Sequence, residues 1–238
     1  MSLDLDIAHN LSLIRERIGA AASRAGRQPG DITLVAVSKT FGADAVRAAY
    51  AGGQRDFGEN KVQEALQKIA ETADMEIRWH LIGHLQSNKA KKVAGPFASI
   101  HSIDSVDLLH RLDQAAAAQG TGPDVLVQVD LAGETTKFGA RADEARRVVD
   151  AAAEAKAVRL AGLMLIPPWN VDQEQTRPWF VRLRELRDGW VAAGFPAIML
   201  RHLSMGMSHD FEAAIEEGAT IVRVGTAIFG KRAPTATP

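Results

Sequence analysis

The sequence predicts an α/β fold, a single-domain (β/α)8 barrel (TIM barrel) carrying an extra N-terminal helix. Short, nearly all-apolar runs rich in branched residues alternate with stretches of helical periodicity, which implies parallel strands buried on both faces. Eight such runs occur in 238 residues, a normal size for eight strands closed into a barrel. The competing expectation is an open, doubly wound sheet. No GxGxxG follows the first run, and eight strands are more than most such sheets use, so the barrel is preferred.

The elements follow in order. Across 3–25, Leu3, Ile7, Leu11, Ile14 and Ile18 recur at three- and four-residue steps with Arg15, Glu16 and Arg17 between them, the pattern of an amphipathic opening helix. Gly26 and the Pro29-Gly30 pair end it. Strands are expected at 32–37, 55–57, 78–82, 99–101, 125–129, 160–165, 200–204 and 221–224. Helices are expected at 43–51, 61–72, 87–93, 106–119, 142–156, 173–193 and 211–216. Ser105, Asp172 and Asp210 precede three of them as caps or dipole partners. With no linker, low-complexity run or repeat beyond this unit, one domain is expected at 1–232, followed by a flexible tail at 233–238.

Composition narrows the function. Apolar residues make up 46% and charged residues 24%, and 28 Lys plus Arg against 29 Asp plus Glu give a net charge of -1. That balance argues against disorder and against nucleic acid as a partner. The absence of cysteine excludes disulfides, thiolate nucleophiles, iron–sulfur clusters and thiolate zinc sites. The opening MSLDLDIAHN has no basic region before an apolar run, and no stretch approaches the ~20 apolar residues of a membrane span. A cytoplasmic protein with no membrane partner is expected.

A barrel carries its chemistry at the C-terminal ends of its strands. Lys39 continues the run LVAV and would stand in or just above a low-dielectric barrel mouth, where desolvation favours the neutral amine that attacks a carbonyl. The bland alternative is a strand-end lysine reaching for water. After the seventh and eighth runs, Ser204, Gly225 and Thr226 could gather hydroxyl and backbone N–H groups around a phosphate, with Gly206 and Gly225 permitting close approach. A Schiff-base lysine together with a phosphate cradle suggests pyridoxal 5'-phosphate (PLP). Arg223 could then face the ring nitrogen and keep it unprotonated, weakening the ring as an electron sink. An ion pair with Glu59 or Asp130 is the alternative for Arg223.

The segments AVSKT (36–40), FGENKVQE (57–64), WHLIGHLQSNK (79–89), HSIDS (101–105), GLMLIP (162–167), LSMGMSHDFEAAIEEGAT and VRVGTAIFG resemble, in order, the pyridoxal phosphate homeostasis protein family. That family, also called proline-synthetase-co-transcribed, is similar to the N-terminal barrel of alanine racemase. The resemblance runs from about Ile32 to Gly230. It implies a fold-type-III barrel holding PLP as an internal aldimine on Lys39, with Arg223 at the pyridine nitrogen and Ser204, Gly225 and Thr226 at the phosphate. It also implies Asn60, from the GEN motif, as a ring-side contact. Members are described as carriers or buffers in vitamin B6 and amino-acid homeostasis, without an established reaction. Two departures stand out: Thr40-Phe41-Gly42 replaces the second lysine many relatives carry, and His84 stands where many have proline.

A two-base racemase needs an acid or base on each face of the substrate carbon, often a tyrosine. Tyr50, the single tyrosine, falls late in the first barrel helix, away from the rim. A carrier is therefore expected, with no catalytic residue assigned, small amines and apo-enzymes as possible partners, and a monomeric state. A weak PLP-dependent amino-acid racemase using His80, His84 or water is the alternative, and a cofactor-free lysine aldolase is a third reading. No metal is expected, since Gly83 breaks the His80–His84 spacing. Lys89, Lys91 and Lys92 read as a solvated helix face, and Lys137 as an exposed loop lysine or a secondary rim site. Trp169 and Trp179 could shield a cofactor or pack in the helical layer.

Overall fold

The computed structural model describes residues 3–133, 138–170 and 172–230, with side chains from residue 6 onward. Lys137 and the expected tail at 233–238 lie outside the described residues. Eight parallel strands close into a barrel: β1 (Thr33–Val37), β2 (Asp56–Glu59), β3 (Arg78–Leu81), β4 (Ser99–Ile103), β5 (Asp124–Asp130), β7 (Arg159–Met164), β8 (His202–Met207) and β9 (Ile221–Val224). Pairing of β4 with β5 and of β1 with β9 leaves no open edge. A two-residue strand, β6 (Ala140–Arg141), adds to the end of β5.

Alternation along each strand sorts its residues into two layers. Leu34, Ala36, Phe57, Trp79, Leu81, Leu203, Val222 and Val224 face outward into a continuous core beneath the helices. Val35, Leu126, Ala161, Met164 and Ile221 form a smaller apolar cluster inside the barrel. Ser204 and Arg223 lie on the inner face for the same reason, each standing between two outward residues. Branched apolar residues usually fill a barrel of this kind. Here buried Asp56, His80, His101, Ser204 and Arg223 share the interior with the smaller cluster.

The helices α2 (Ala43–Ala51), α3 (Val62–Glu71), α4 (Ala90–Val93), α5 (Val106–Gln119), α6 (Ala142–Ala153), α7 (Arg177–Ala192), α8 (Phe211–Glu216) and α9 (Thr226–Phe229) follow the strands. The last has only four residues and cannot cover its share of the barrel wall. The opening helix α1 (Leu3–Arg24) completes the ring, burying Ile7, Leu11, Ile14 and Ile18 against α2, α8 and α9. Asn10 ties it to α9 by donating to the Ile228 carbonyl at 2.9 Å.

Of the boundaries that differ from the sequence expectation, two have a clear local cause. The apolar run at 197–200 is a 3-10 turn, Ala197–Leu200, and β8 starts only at His202. Asp172 caps a separate 3-10 turn, Gln173–Gln175, rather than the long helix. Pro178, which an α-helix tolerates only in its first turn, holds the start of α7 at Arg177.

Candidate functional site

A cavity of about 1070 Å³ opens at the C-terminal ends of the strands. Lys39, Asn60, Arg223, Gly225 and Thr226 line it, together with Gln128, Ser208 and His209. Of the residues expected at the site, Ser204 is the one outside this lining.

Lys39 is presented by a tight turn. Ser38 to Phe41 is closed by the Phe41 N–H donating to the Ser38 carbonyl at 3.0 Å, and Thr40 takes φ of 71° at the third position. Turns of this shape normally place glycine there, because a Cβ, and above all a branched one, is strained at positive φ. Behind the turn, Ser38 Oγ donates to Glu59 Oε1 at 2.6 Å, while Lys68 Nζ donates to the same Oε1 at 2.6 Å and to the Ser38 carbonyl at 2.7 Å. Burial pushes the Glu59 carboxyl up, and the bonds from Lys68 and Ser38 offset only part of that cost. The pairing thus braces the root of Lys39, and Glu59 is committed to it.

Neighbouring strands β1 and β9 align Ala36 with Val224, so Lys39 and Gly225–Thr226 leave the same end of adjacent strands. A Cβ on Gly225 would lie 3.1 Å from the Val37 carbonyl oxygen, which explains glycine at this contact. The serine that meets this segment is Ser208, whose Oγ accepts from the Gly225 N–H at 3.1 Å and the Ala227 N–H at 3.4 Å. Ser204, expected there, instead lies fully buried in mid-strand below the cavity. The strand expected at 200–204 shares only Leu200 with the 3-10 turn and runs on as β8 to Met207, three residues past Ser204, so the serine that follows the strand end is Ser208.

Arg223 forms the cavity floor and is only 4% exposed. Its Nη1 donates to Ser204 Oγ at 2.7 Å and its Nη2 to the Leu165 carbonyl at 2.8 Å. Neither Glu59 nor Asp130 pairs with it, because Glu59 is held by Lys68 and Asp130 Oδ1 accepts from the Ala132 and Gly133 N–H groups. Burial pushes the guanidinium pKa down to about 10, opposed by the charge of Asp210. The group stays cationic at neutral pH, held by neutral acceptors and lining a cavity.

At the rim the aromatic side chains divide. Trp169 is 71% exposed at the cavity mouth, while Trp179 packs in the helical layer under Arg182. His84 stacks on Phe138 with centroids 3.6 Å apart, beside the half-open Ile166. His80 is buried inside the barrel and lines a second cavity at its opposite mouth, so the two histidines do not share a site; among the described residues no metal-holding cluster occurs. Lys91 and Lys92 are exposed on α4. Tyr50 sits under the Arg55 guanidinium, 3.8 Å from its ring centre, away from the cavity.

Three features escaped sequence reading. Lys68 looked like any helix lysine, although its place on the buried side of α3 could have been read from the periodicity. Ser208 needed the true end of β8. His209 lines the cavity, and its Nε2 is buried with no hydrogen-bond partner among the described residues. A primary amine, a buried cation and N–H groups gathered on one hydroxyl, all around one cavity, fit a ligand with an aldehyde, an acceptor ring and a phosphate. PLP bears its aldehyde and phosphate arm on neighbouring ring atoms, as Lys39 and Gly225–Thr226 occupy neighbouring strands.

Residues 6–233 match the family described as the alanine racemase N-terminal domain. The chain is 42% identical over 228 residues to the pyridoxal phosphate homeostasis protein of Aquifex aeolicus, covering 96% of this chain and 99% of that protein. It is 44% identical over 226 residues to the protein of the same description from Pseudomonas aeruginosa, covering 95% and 96%. Among solved structures, PipY of Synechococcus elongatus with PLP bound superposes with a TM-score of 0.82 at 40% identity, covering 94% of this chain and all of that one. Alanine racemase from Corynebacterium glutamicum gives 0.74 at 17% identity over 64% of its length, a likeness of fold alone.

Proposed function

The chain belongs to the pyridoxal phosphate homeostasis proteins within the alanine racemase N-terminal domain family, and on that premise we propose that it binds PLP as a carrier or buffer in vitamin B6 and amino-acid homeostasis. The observation that carries this reading is the convergence of Lys39, Arg223 and Gly225–Thr226 on one cavity. PLP supplies an aldehyde that condenses with primary amines and a ring that withdraws electrons from what it holds.

The residues divide the work. Lys39, braced by its turn, offers the amine. Arg223 meets the acceptor end of the ring with a hydrogen bond from a group that does not give up its proton, which keeps that acceptor unprotonated. Thr226 and the N–H groups now shared by Ser208 receive the phosphate. Asn60, on the cavity lining, would contact the ring from its side. Trp169, Phe138 and Ile166 leave the mouth apolar and accessible, so small amines and the apo-enzymes that need the cofactor can approach.

A carrier role is supported over racemisation by two features. Arg223 stabilises a neutral ring nitrogen and so blunts the ring's electron demand. The single tyrosine stands away from the cavity, and His80, one of the bases considered for racemisation, is enclosed in the barrel. No described helix is long and apolar enough to cross a membrane. A monomer working in the cytoplasm completes the proposal. The test is exchange of amino-acid α-protons in D2O by the PLP-loaded protein. Exchange no faster than with PLP alone, together with reactivation of a PLP-dependent apo-enzyme, supports the carrier; exchange far above that background makes it a racemase-like enzyme.

A further inference from the structure

Beneath the cavity a line of hydrogen bonds crosses the barrel. Arg223 Nη1 lies 2.7 Å from Ser204 Oγ, Ser204 Oγ 2.9 Å from His101 Nδ1, His101 Nε2 3.0 Å from His80 Nδ1, and His80 Nε2 3.0 Å from Asp56 Oδ1. All five residues are buried, none more than 8% exposed. Strand register builds the line: Asp56 pairs with Arg78 and Ser204 with Ile221, so His80 and Arg223, two residues further along their strands, sit diagonally across from them on the inner face. At its far end Asp56 also accepts two bonds from Arg78 beside a smaller cavity of about 300 Å³ at the opposite mouth of the barrel.

The chemistry of the two ends fixes the direction of every bond. A guanidinium only donates and a carboxylate only accepts. With one proton on each histidine ring, Asp56 accepts from His80 Nε2–H, and His80 Nδ1 accepts from His101 Nε2–H. His101 Nδ1 then accepts the Ser204 hydroxyl proton, and the Ser204 lone pairs face Arg223. In the reversed arrangement, with His101 donating through Nδ1, Ser204 would receive two donors and its own proton would have no acceptor among the bonds of this line. Burial, joined by the charge of Arg223, keeps the His101 pKa well below the ordinary histidine value, in agreement with a neutral ring.

We propose that His101 and His80, anchored on Asp56, are positioning residues that act through Ser204 to orient the Arg223 guanidinium toward the cofactor cavity. The line holds Nη1, the Leu165 carbonyl holds Nη2, and the remaining N–H donors are left to the ring of the ligand, so a change at the far mouth of the barrel reaches the cofactor electrostatically. This role rests on the PLP reading for its consequence, but the hydrogen-bond direction is a property of the chain by itself.

Two measurements test it. In cofactor-free protein, nitrogen NMR of labelled histidines should find His80 and His101 neutral and protonated on Nε2. A proton on Nδ1 of either ring overturns the assignment. In loaded protein, His101→Leu and Ser204→Ala should shift the absorption band of bound PLP and weaken its affinity about tenfold. His101→Asn, which keeps an acceptor near the Nδ1 position, should restore the wild-type band. An unchanged band and affinity in both His101→Leu and Ser204→Ala contradicts the proposal. If the wild-type chain binds no PLP, the functional reading fails, and the histidine tautomers alone decide the relay.

Discussion

Lys68 Nζ donates to the Ser38 carbonyl at 2.7 Å, one residue before Lys39, and so a lysine on α3 supports the lysine at the cavity. The same ammonium neutralises Glu59, which is wholly buried and has one carboxylate oxygen, Oε2, without a partner. Removing one member of such a pair leaves a charge in a medium that cannot solvate it. Lys68→Met should therefore destabilise the protein by about 3–5 kcal/mol, measured by urea unfolding at neutral pH. Adding Glu59→Gln to that variant should recover a large part of the loss, and a double variant no more stable than the single one would rule out the charge argument.

Thr40 holds positive φ with a branched side chain immediately after Lys39. Thr40→Gly removes the Cβ strain at the cost of greater freedom in the unfolded chain, and the net gain should be about 1 kcal/mol in the same unfolding assay. Thr40→Val, which keeps the branch, should bring no gain.

The cradle can be separated from the ring by comparing ligands with and without a phosphate. Thr226→Val should lower PLP affinity by about 10- to 100-fold, the worth of a hydrogen bond to a charged group, while pyridoxal affinity stays within a factor of two or so. Equal losses for both ligands in titration calorimetry would place the phosphate elsewhere.

Acid stability should report the barrel interior. His101 is neutral in the folded protein with its pKa well below 6.5, whereas the unfolded chain takes up a proton near that value. Between the two values the unfolded state binds more protons, so this stabilisation is complete above pH 6.5 and is lost as pH falls through the window. One such group contributes a slope of about 1.4 kcal/mol per pH unit. His202, lowered by burial and by Arg201, adds to it, and Asp56, whose bonds to His80 and Arg78 together outweigh the upward pull of burial, acts at more acid pH. His101→Asn should remove about one proton's worth of this slope below pH 6.5 and leave the remainder.

The barrel was legible because a strand buried on both faces is short and apolar, and because glycine and polar residues close each run. That Lys39, Asn60, Arg223, Gly225 and Thr226 line one cavity was legible for a related reason: residues at strand ends gather at one face once the strands are counted. Ser204, expected at a strand end, stands in mid-strand because β8 runs on to Met207, three residues beyond the end expected from the sequence. The line from Asp56 to Arg223 was hidden for a different reason. Its members come from five strands, and only closure of the barrel brings His101 on β4 to Ser204 on β8.

The central claim is that Lys39 holds PLP at the cavity on the C-terminal face. The most direct measurement adds PLP to the purified protein, records its absorption, reduces with borohydride and maps the labelled peptide. A yellow band that reduction fixes on the peptide containing Lys39, and that Lys39→Ala lacks, is the predicted result. Label on another lysine, or identical binding and reduction by Lys39→Ala, would contradict the account.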